Sequence, residues 1–269
     1  MKTKCAIILG AASVLAAVPA SAQTRSGFEA GVEVFDYSYR ERFEGDTIVF
    51  DDGILYGFNL SYTLGLGSNW FVRARAAFAT GSVDYASEDG QISGVPQDTG
   101  QLEFQVGHDF QLAPGATLTA FTGVGGRVLN DHSGGEETDT GLLGYDREVG
   151  YAYVPLGLSL GVPLGGGLSL AVSGQYNHVF GGTSTSRFSQ LDPEFPDLEL
   201  DLNGGSGLEV SAIVSIPVGG SEIRVGPFLR RWNIERSDSF VVSEDDLELE
   251  VFEPDNKTTE AGVRLSFAF

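Results

Sequence analysis

Few residues of this chain could do chemistry. His108, His132 and His178 are its three histidines, and its single cysteine is Cys5. Asp131-His132-Ser133 is the one run in which a carboxylate, an imidazole and a hydroxyl adjoin. A proton-transfer set needs those groups within reach of one another and of one substrate atom. Neighbours in a polar loop rarely converge that way, so the run reads as solvated surface and no enzyme is expected. Carboxylates are far more plentiful. They cluster at Asp51-Asp52, at Glu136-Glu137 with Asp139, and at Glu244-Asp245-Asp246 with Glu248 and Glu250. Such oxygen-rich groups can gather Ca²⁺ or Mg²⁺, which makes divalent cations candidate partners. No EF-hand spacing or glycine-aspartate repeat is present, so no defined metal site is specified, and no cofactor is expected.

The charge balance excludes one large class. With 16 Lys+Arg against 37 Asp+Glu and a net charge of -21, the 269-residue chain lacks the clustered cations that neutralise phosphates, so no nucleic acid is expected as a partner. A hydrophobic content of 42% is nevertheless that of a folding chain.

The elements that must position these residues begin with an address. Lys2 and Lys4, the apolar stretch Ala6 to Val18 and the small-residue run Ala20-Ser21-Ala22 predict a signal peptide over 1–22, cleaved after Ala22. Residues 23–269 are then expected to form a single domain without cysteine, hence without disulfides or a thiol nucleophile. No later stretch has 18 or more consecutive apolar residues, so no membrane helix is expected.

From Gly27 onward the hydrophobic period is two, which predicts strands. Ile54, Tyr56, Phe58, Leu60, Tyr62 and Leu64 alternate with small and polar residues, as do Leu102, Phe104, Val106 and Phe110. Ten such strands are joined by four short turns, at 64–69, 112–116, 163–167 and 217–221, and by five long polar loops, at 40–53, 80–98, 130–148, 182–204 and 237–257. Further alternation at Leu198, Leu200 and Leu202 and at Leu247, Leu249 and Val251 is read as strand extension above the membrane. Two extra membrane strands, making twelve, are the alternative. Aromatics gather at both ends, with Phe28, Trp70, Phe71, Phe110, Phe267 and Phe269 at the turn end and Tyr56, Phe78, Tyr176 and Phe180 at the other.

Short turns on one side and long loops on the other are the asymmetry of a transmembrane barrel. In this the chain resembles the Gram-negative outer-membrane β-barrel proteins, small and porin-like, with an all-β antiparallel up-and-down fold of ten strands. The ending Val263, Leu265, Phe267 and Phe269 looks like the signal such proteins present to the barrel-assembly machinery. The resemblance implies the bacterial outer membrane as location, and outer-membrane lipid and lipopolysaccharide as partners. The ten-stranded omptin proteases of this class carry an Asp and a His two apart on one strand face, and that spacing is absent here. His108 and His178 fall on the lipid-facing parity.

The opposite parity places Glu29, Glu33, Glu103, Asp109, Glu209, Glu222 and Glu260 in the lumen, with Arg73, Arg75, Arg127, Arg224, Arg230 and Arg264. Two readings follow. The first is at most a narrow, cation-favouring channel with an acidic rim, in which Gly57, Ser61, Gly107, Ser173 and Ser211 leave room. The second is a structural or surface-interaction barrel whose lumen is closed by Arg–carboxylate pairs. The surplus charge sits in the five loops, which hold 28 acidic residues against Arg40, Arg42, Arg147, Arg187 and Lys257.

Overall fold

The computed structural model describes residues 26–244 and 247–269. The predicted signal peptide, Asp245 and Asp246, and the side chains of Glu244 and Glu248 lie outside the described residues.

Ten long strands close into an antiparallel barrel. They are β1 (Gly27–Phe43), β2 (Asp46–Gly67), β3 (Trp70–Ser87), β4 (Gly90–Ala113), β5 (Ala116–His132), β6 (Asp146–Gly165), β7 (Leu168–Ser186), β9 (Gly205–Val218), β10 (Ser221–Ile234) and β13 (Asp255–Ala268). Each pairs with its chain neighbour in the barrel, and β1 pairs with β13 from Glu29↔Ala268 to Arg42↔Asp255, so no edge is left. Lipid offers a backbone group no hydrogen-bond partner, so this closure is required of any sheet that crosses it. The ring is sealed at its foot by Phe28 and Phe269, which exchange backbone bonds at 2.8 and 2.9 Å. Three short strands stand outside the ring. β8 (Leu198–Leu202) pairs with the top of β7, while β11 (Phe240–Glu244) and β12 (Leu247–Val251) pair with each other. The count is therefore ten membrane strands, with the extra alternating segments held above.

The two ends are built differently. Two-residue turns join β2 to β3, β4 to β5, β6 to β7 and β9 to β10, at the four predicted places. The long side departs from the expected loops. β1 and β2 run on to a tight turn at Glu44-Gly45, where φ is +52° and +95°, and β3 and β4 run on to Glu88-Asp89. At Glu44-Gly45 both central residues have positive φ, which matches the twist of the strands joined, and at Glu88-Asp89 the pairing continues to Ser87↔Gly90, so both regions are hairpins and not loops.

Outside, the lower wall is apolar. Val32, Val34, Phe58, Leu102, Leu156 and Val263 all face outward, edged by Trp70 and Phe110 at the turn end and by Tyr56 and Phe180 at the other. Phe71 is a correction to the predicted girdle, since it points inward and is fully buried. His108 faces outward between Trp70 and Phe110, with ring centroids 4.9 and 4.6 Å away.

Inside, Gly107 leaves no room, and three further inward glycines repeat its arrangement. Gly107 lies opposite Phe71, Gly125 opposite Tyr153, Gly157 opposite Phe121 and Gly207 opposite Trp232. In every pair the ring lies on the glycine, so that a Cβ there would come within 2.1–2.5 Å of it. Glycine on one strand thus gives the next strand's aromatic ring a flat bed, a pairing that also pins register. Gly207→Ala is expected to destabilise the barrel by about 1–3 kcal/mol, because the indole of Trp232 is buried and cannot yield. Gly174→Ala, where a Cβ meets nothing within 4 Å, serves as the control. Urea midpoints of the two variants, folded in the same vesicles, measure the difference, and equal midpoints would overturn the account.

Candidate functional site

All thirteen charged residues predicted for the lumen face inward, in storeys. At the turn end Arg224 binds Glu29 at 2.6 Å and Glu222 at 2.8 Å, and Ser266 donates to Glu29 at 2.6 Å. Asp109 accepts from Thr119 at 2.6 Å, and Arg73 donates to Thr63 at 2.9 Å.

The middle storey crosses the lumen. Arg127 on β5 pairs with Glu260 on β13, and both side chains are at most 1% exposed. Glu260 also takes Arg230 at 2.7 Å, Arg230 takes Glu33 at 2.6 Å, and Glu33 takes Arg264 at 2.8 Å. Arg75 on β3 reaches Glu103 beside it and Glu209 on the far wall, each at 3.4 Å. The remaining lone pairs of Glu103 are satisfied by Gln105, by Gln175 at 2.8 Å and by the Tyr153 hydroxyl at 3.0 Å. Carboxylates and guanidinium groups match one for one here: Glu33, Glu103, Glu209 and Glu260 against Arg75, Arg127, Arg230 and Arg264. Burial of so many charges is tolerable only because each is paired and hydrogen-bonded.

Above this network lies an apolar stopper. Phe35, Tyr37, Tyr39, Leu55, Val83, Val95, Leu129, Val149, Tyr151, Tyr153, Phe228, Trp232 and Ile234 form one buried cluster. The network is tied to it, since Arg230 lies 4.3 Å over Phe228 and Arg127 lies 5.4 Å over Trp232.

A third ionic group fills the mouth, above the level at which Asp52 and Arg40 begin to face outward. Arg147 on β6 meets Glu41 on β1 and lies 3.6 Å from Glu253, which in turn accepts from Ser184 at 3.0 Å. Tyr39 donates to Glu41 at 3.0 Å. Asp51 stands beside them at a water-sized cavity lined also by Tyr37, Gln97, Asp131 and Arg147. It is 2% exposed, and its Oδ1 has no hydrogen-bond partner. Burial, and then the charge of Asp131, push its carboxyl up to about 8. Glu253 is pushed up as well, first by burial. What this arrangement does chemically is hold protons: around one buried arginine there are more carboxylates than it can neutralise.

Among the described residues the acidic groups predicted to gather cations do not come together, and the side chains of Glu244, Asp245 and Asp246 lie outside that description. Asp52 faces outward and is clamped by Arg40 at 2.9 and 2.8 Å, whereas Asp51 faces inward, as alternation along a strand requires. Asp139 accepts the backbone N–H of Gln91 at 2.9 Å and so fastens its loop to the β3–β4 hairpin. Glu136 and Glu137 are exposed in the same loop. Among the described residues no set of three or more His, Cys, Asp or Glu side chains could hold a metal. The Asp131-His132-Ser133 run is also split by alternation. Asp131 Oδ1 accepts from Ser133, while His132 faces outward and lies 3.2 Å from Asp98. The ending Val263, Leu265, Phe267 and Phe269 forms an outward apolar row of 43–62% exposure.

Sequence reasoning missed the mouth group and the stopper. Glu41, Asp51, Asp131, Arg147 and Glu253 fall within the segments that the sequence predicts as loops. The available signal was the continuing period of two through Phe35, Tyr37 and Tyr39, now with its apolar side turned inward.

This geometry has known counterparts. The outer membrane protease OmpT from Escherichia coli matches with a TM-score of 0.58 at 9% identity, over 90% of this chain and 97% of that one. The architecture is that of an outer-membrane β-barrel. The Neisseria meningitidis autotransporter NalP translocator domain (TM-score 0.41, 11% identity, 90% of this chain and 89% of that one) and the Pseudomonas putida toluene transporter TodX (0.39, 11%, 90% and 89%) superpose less well and add nothing to the argument. No protein-family model matches the chain, and no curated protein matches it significantly. At such identities the likeness speaks to the fold alone.

The mouth group makes a pH prediction. Folding raises the Asp51 carboxyl from the ordinary value of 3.8 to about 8, so between those values the folded barrel holds a proton that the unfolded chain has lost. Stability therefore falls as pH rises through that window and levels off above it. Asp51→Asn is expected to remove more than half of the slope, on the order of a few kcal/mol, with Glu253 supplying part of the rest. Urea midpoints at pH 4, 6 and 9 measure it; an unchanged slope in the variant would refute the assignment.

Proposed function

We propose that this protein is a closed outer-membrane barrel, a rigid scaffold that presents its extracellular hairpins, and not a conduit. The observation that carries this reading is the Arg127–Glu260 contact across the lumen, with both side chains buried and with Arg230 joined to the same carboxylate. Parting a buried pair leaves two uncompensated charges, which costs about 3–5 kcal/mol. The aromatic stopper would have to move as well.

The rival reading, a narrow cation-favouring passage, is supported by one feature: carboxylates exceed cations at the mouth. Ions entering there would still meet the paired storey below. The scaffold reading gives the chain no catalytic role, because Asp131 and His132 face opposite sides of the wall and, among the described residues, no third group joins His132 and Asp98.

Planar-bilayer recordings with the folded protein separate the two. The scaffold reading expects no discrete conductance from the natural protein. It expects Glu260→Ala, which strands Arg127 and leaves Arg230 to Glu33, to lose about 3–5 kcal/mol of stability. The passage reading expects discrete, cation-selective events whose selectivity shifts in Glu209→Ala. Steady single-channel steps from the natural protein would overturn the scaffold reading.

A further inference from the structure

The carboxylates of the mouth are not all held alike. Glu41, Asp51 and Asp131 stand on β1, β2 and β5, where a neighbouring strand fixes their backbone on either side. Glu253 is the exception. It belongs to residues 252–254, which join β12 to β13 outside any strand. Its peptide exchanges bonds with Ser237, whose N–H donates to the Glu253 carbonyl at 3.1 Å and whose hydroxyl accepts the Glu253 N–H at 2.8 Å. Ser237 is itself outside the strands, between β10 and β11. Phe252 lies against Phe43, with ring centroids 5.4 Å apart, and under Arg236 at 3.7 Å.

From this loosely tied strap the Glu253 side chain reaches down into the barrel. It is buried, accepts from Ser184 on β7 and lies 3.6 Å from Arg147, yet its Oε1 has no hydrogen-bond partner. Arg147 is already taken by Glu41. The other groups facing these carboxylates are Tyr37, Tyr39 and Arg40 on β1, Tyr85 on β3, Gln97 on β4 and Tyr145 before β6. Burial pushes all four tyrosine hydroxyls up, so they stay neutral. Fully ionised, the mouth would set four carboxylates against one guanidinium. The carboxylate able to leave is the one that no strand holds. Arg147 keeps Glu41 when it goes, so no buried charge is stranded.

We propose that Glu253 is a proton-operated latch, which holds residues 252–254 down over the barrel mouth while the mouth carboxylates keep their protons and lets this strap lift when the protons are lost. The latch belongs to the mouth and works whether or not the lumen below it conducts. Asp51, held at about 8, and Glu253, raised above its ordinary 4.5, both bind protons more firmly with the strap seated. Lifting therefore releases protons. Rising pH favours it up to about 8 and has no further effect above that value.

The test uses the folded full chain in detergent micelles, with spin labels on two introduced cysteines. They are Glu148→Cys, on the outer face of β6, and Val251→Cys, beside the strap; the natural sequence has one cysteine, Cys5, in its predicted signal peptide. Double electron–electron resonance reads the distance between the labels at pH 5, 7 and 9. One separation is expected at pH 5. A second, longer one is expected to grow in as pH rises, its ratio to the first increasing by up to about tenfold per pH unit for each proton released. Glu253→Gln keeps the shape of the side chain and cannot ionise, so it is expected to hold the short separation at pH 9. Labels at Glu148→Cys and Ser82→Cys, both on barrel strands, are expected to keep one separation throughout. A pH-independent distance with the natural mouth, equal lifting in Glu253→Gln, or a parallel change in the barrel pair would each overturn the proposal. The first comparison alters no residue of the mouth group, so the test stays decisive if Glu253→Gln fails to fold.

Discussion

A strand that crosses lipid has one face that must be apolar, and its polar residues have nowhere to go but inward. What goes inward must then satisfy itself, because a ten-stranded lumen is too narrow to hydrate it freely. The pairing of Arg127 with Glu260 across the lumen is the centre of the solution. From it the contacts run through Arg230 to Glu33 and Arg264, while Arg75, Glu103 and Glu209 form a second branch. These residues come from β1, β3, β4, β5, β9, β10 and β13, so the side chains close the barrel across its middle as the backbone closes it around its wall. Neutrality follows from the same constraint. A surplus of either sign at this depth would have no partner and no water.

The glycine–aromatic pairs serve the same end by other means. Where the lumen is not filled by ions it is filled by rings, and a ring can lie flat on the wall only where the facing residue lacks a Cβ. Gly207 beneath Trp232 and Gly125 beneath Tyr153 put large apolar volume within reach of Arg127 and Glu103. The charged and aromatic storeys are therefore one packed interior, not a pore lined with two kinds of residue.

Much of this was legible in the residues, up to a definite height. Below it, alternation keeps apolar side chains outside and charges inside, and strand count, turns and lumen charges could be read directly. Near Val34 and Phe35 the pattern turns over. Val34 is apolar and outward, Phe35 apolar and inward, and from there Tyr37 and Tyr39 are buried while Asp36, Ser38 and Arg40 face out. The reversal marks the level at which the solvent outside changes from lipid to water. A pattern that keeps its period but exchanges its faces looks, residue by residue, like a polar loop. Alternation alone therefore does not distinguish an upper hairpin from a loop, nor the interior positions of Glu41, Asp51 and Arg147 from a rim.

The acidity of the chain takes on a different meaning once the two faces are separated. Charges outside the upper wall are screened by water and salt, so Asp84, Glu148 and Asp201 cost little and keep the hairpins soluble. Charges inside the mouth are not screened, and Glu41, Asp51, Asp131 and Glu253 share a single buried arginine. Burial favours the protonated form of two of them, Asp51 and Glu253, each with one oxygen that no hydrogen bond reaches. On the outer face the imbalance is of the opposite sign and confined to three strands. There Arg40 is clamped by Asp52 and Arg42 faces Asp255 in register, so the outer wall settles its charges one by one in the open while the mouth holds its surplus inside.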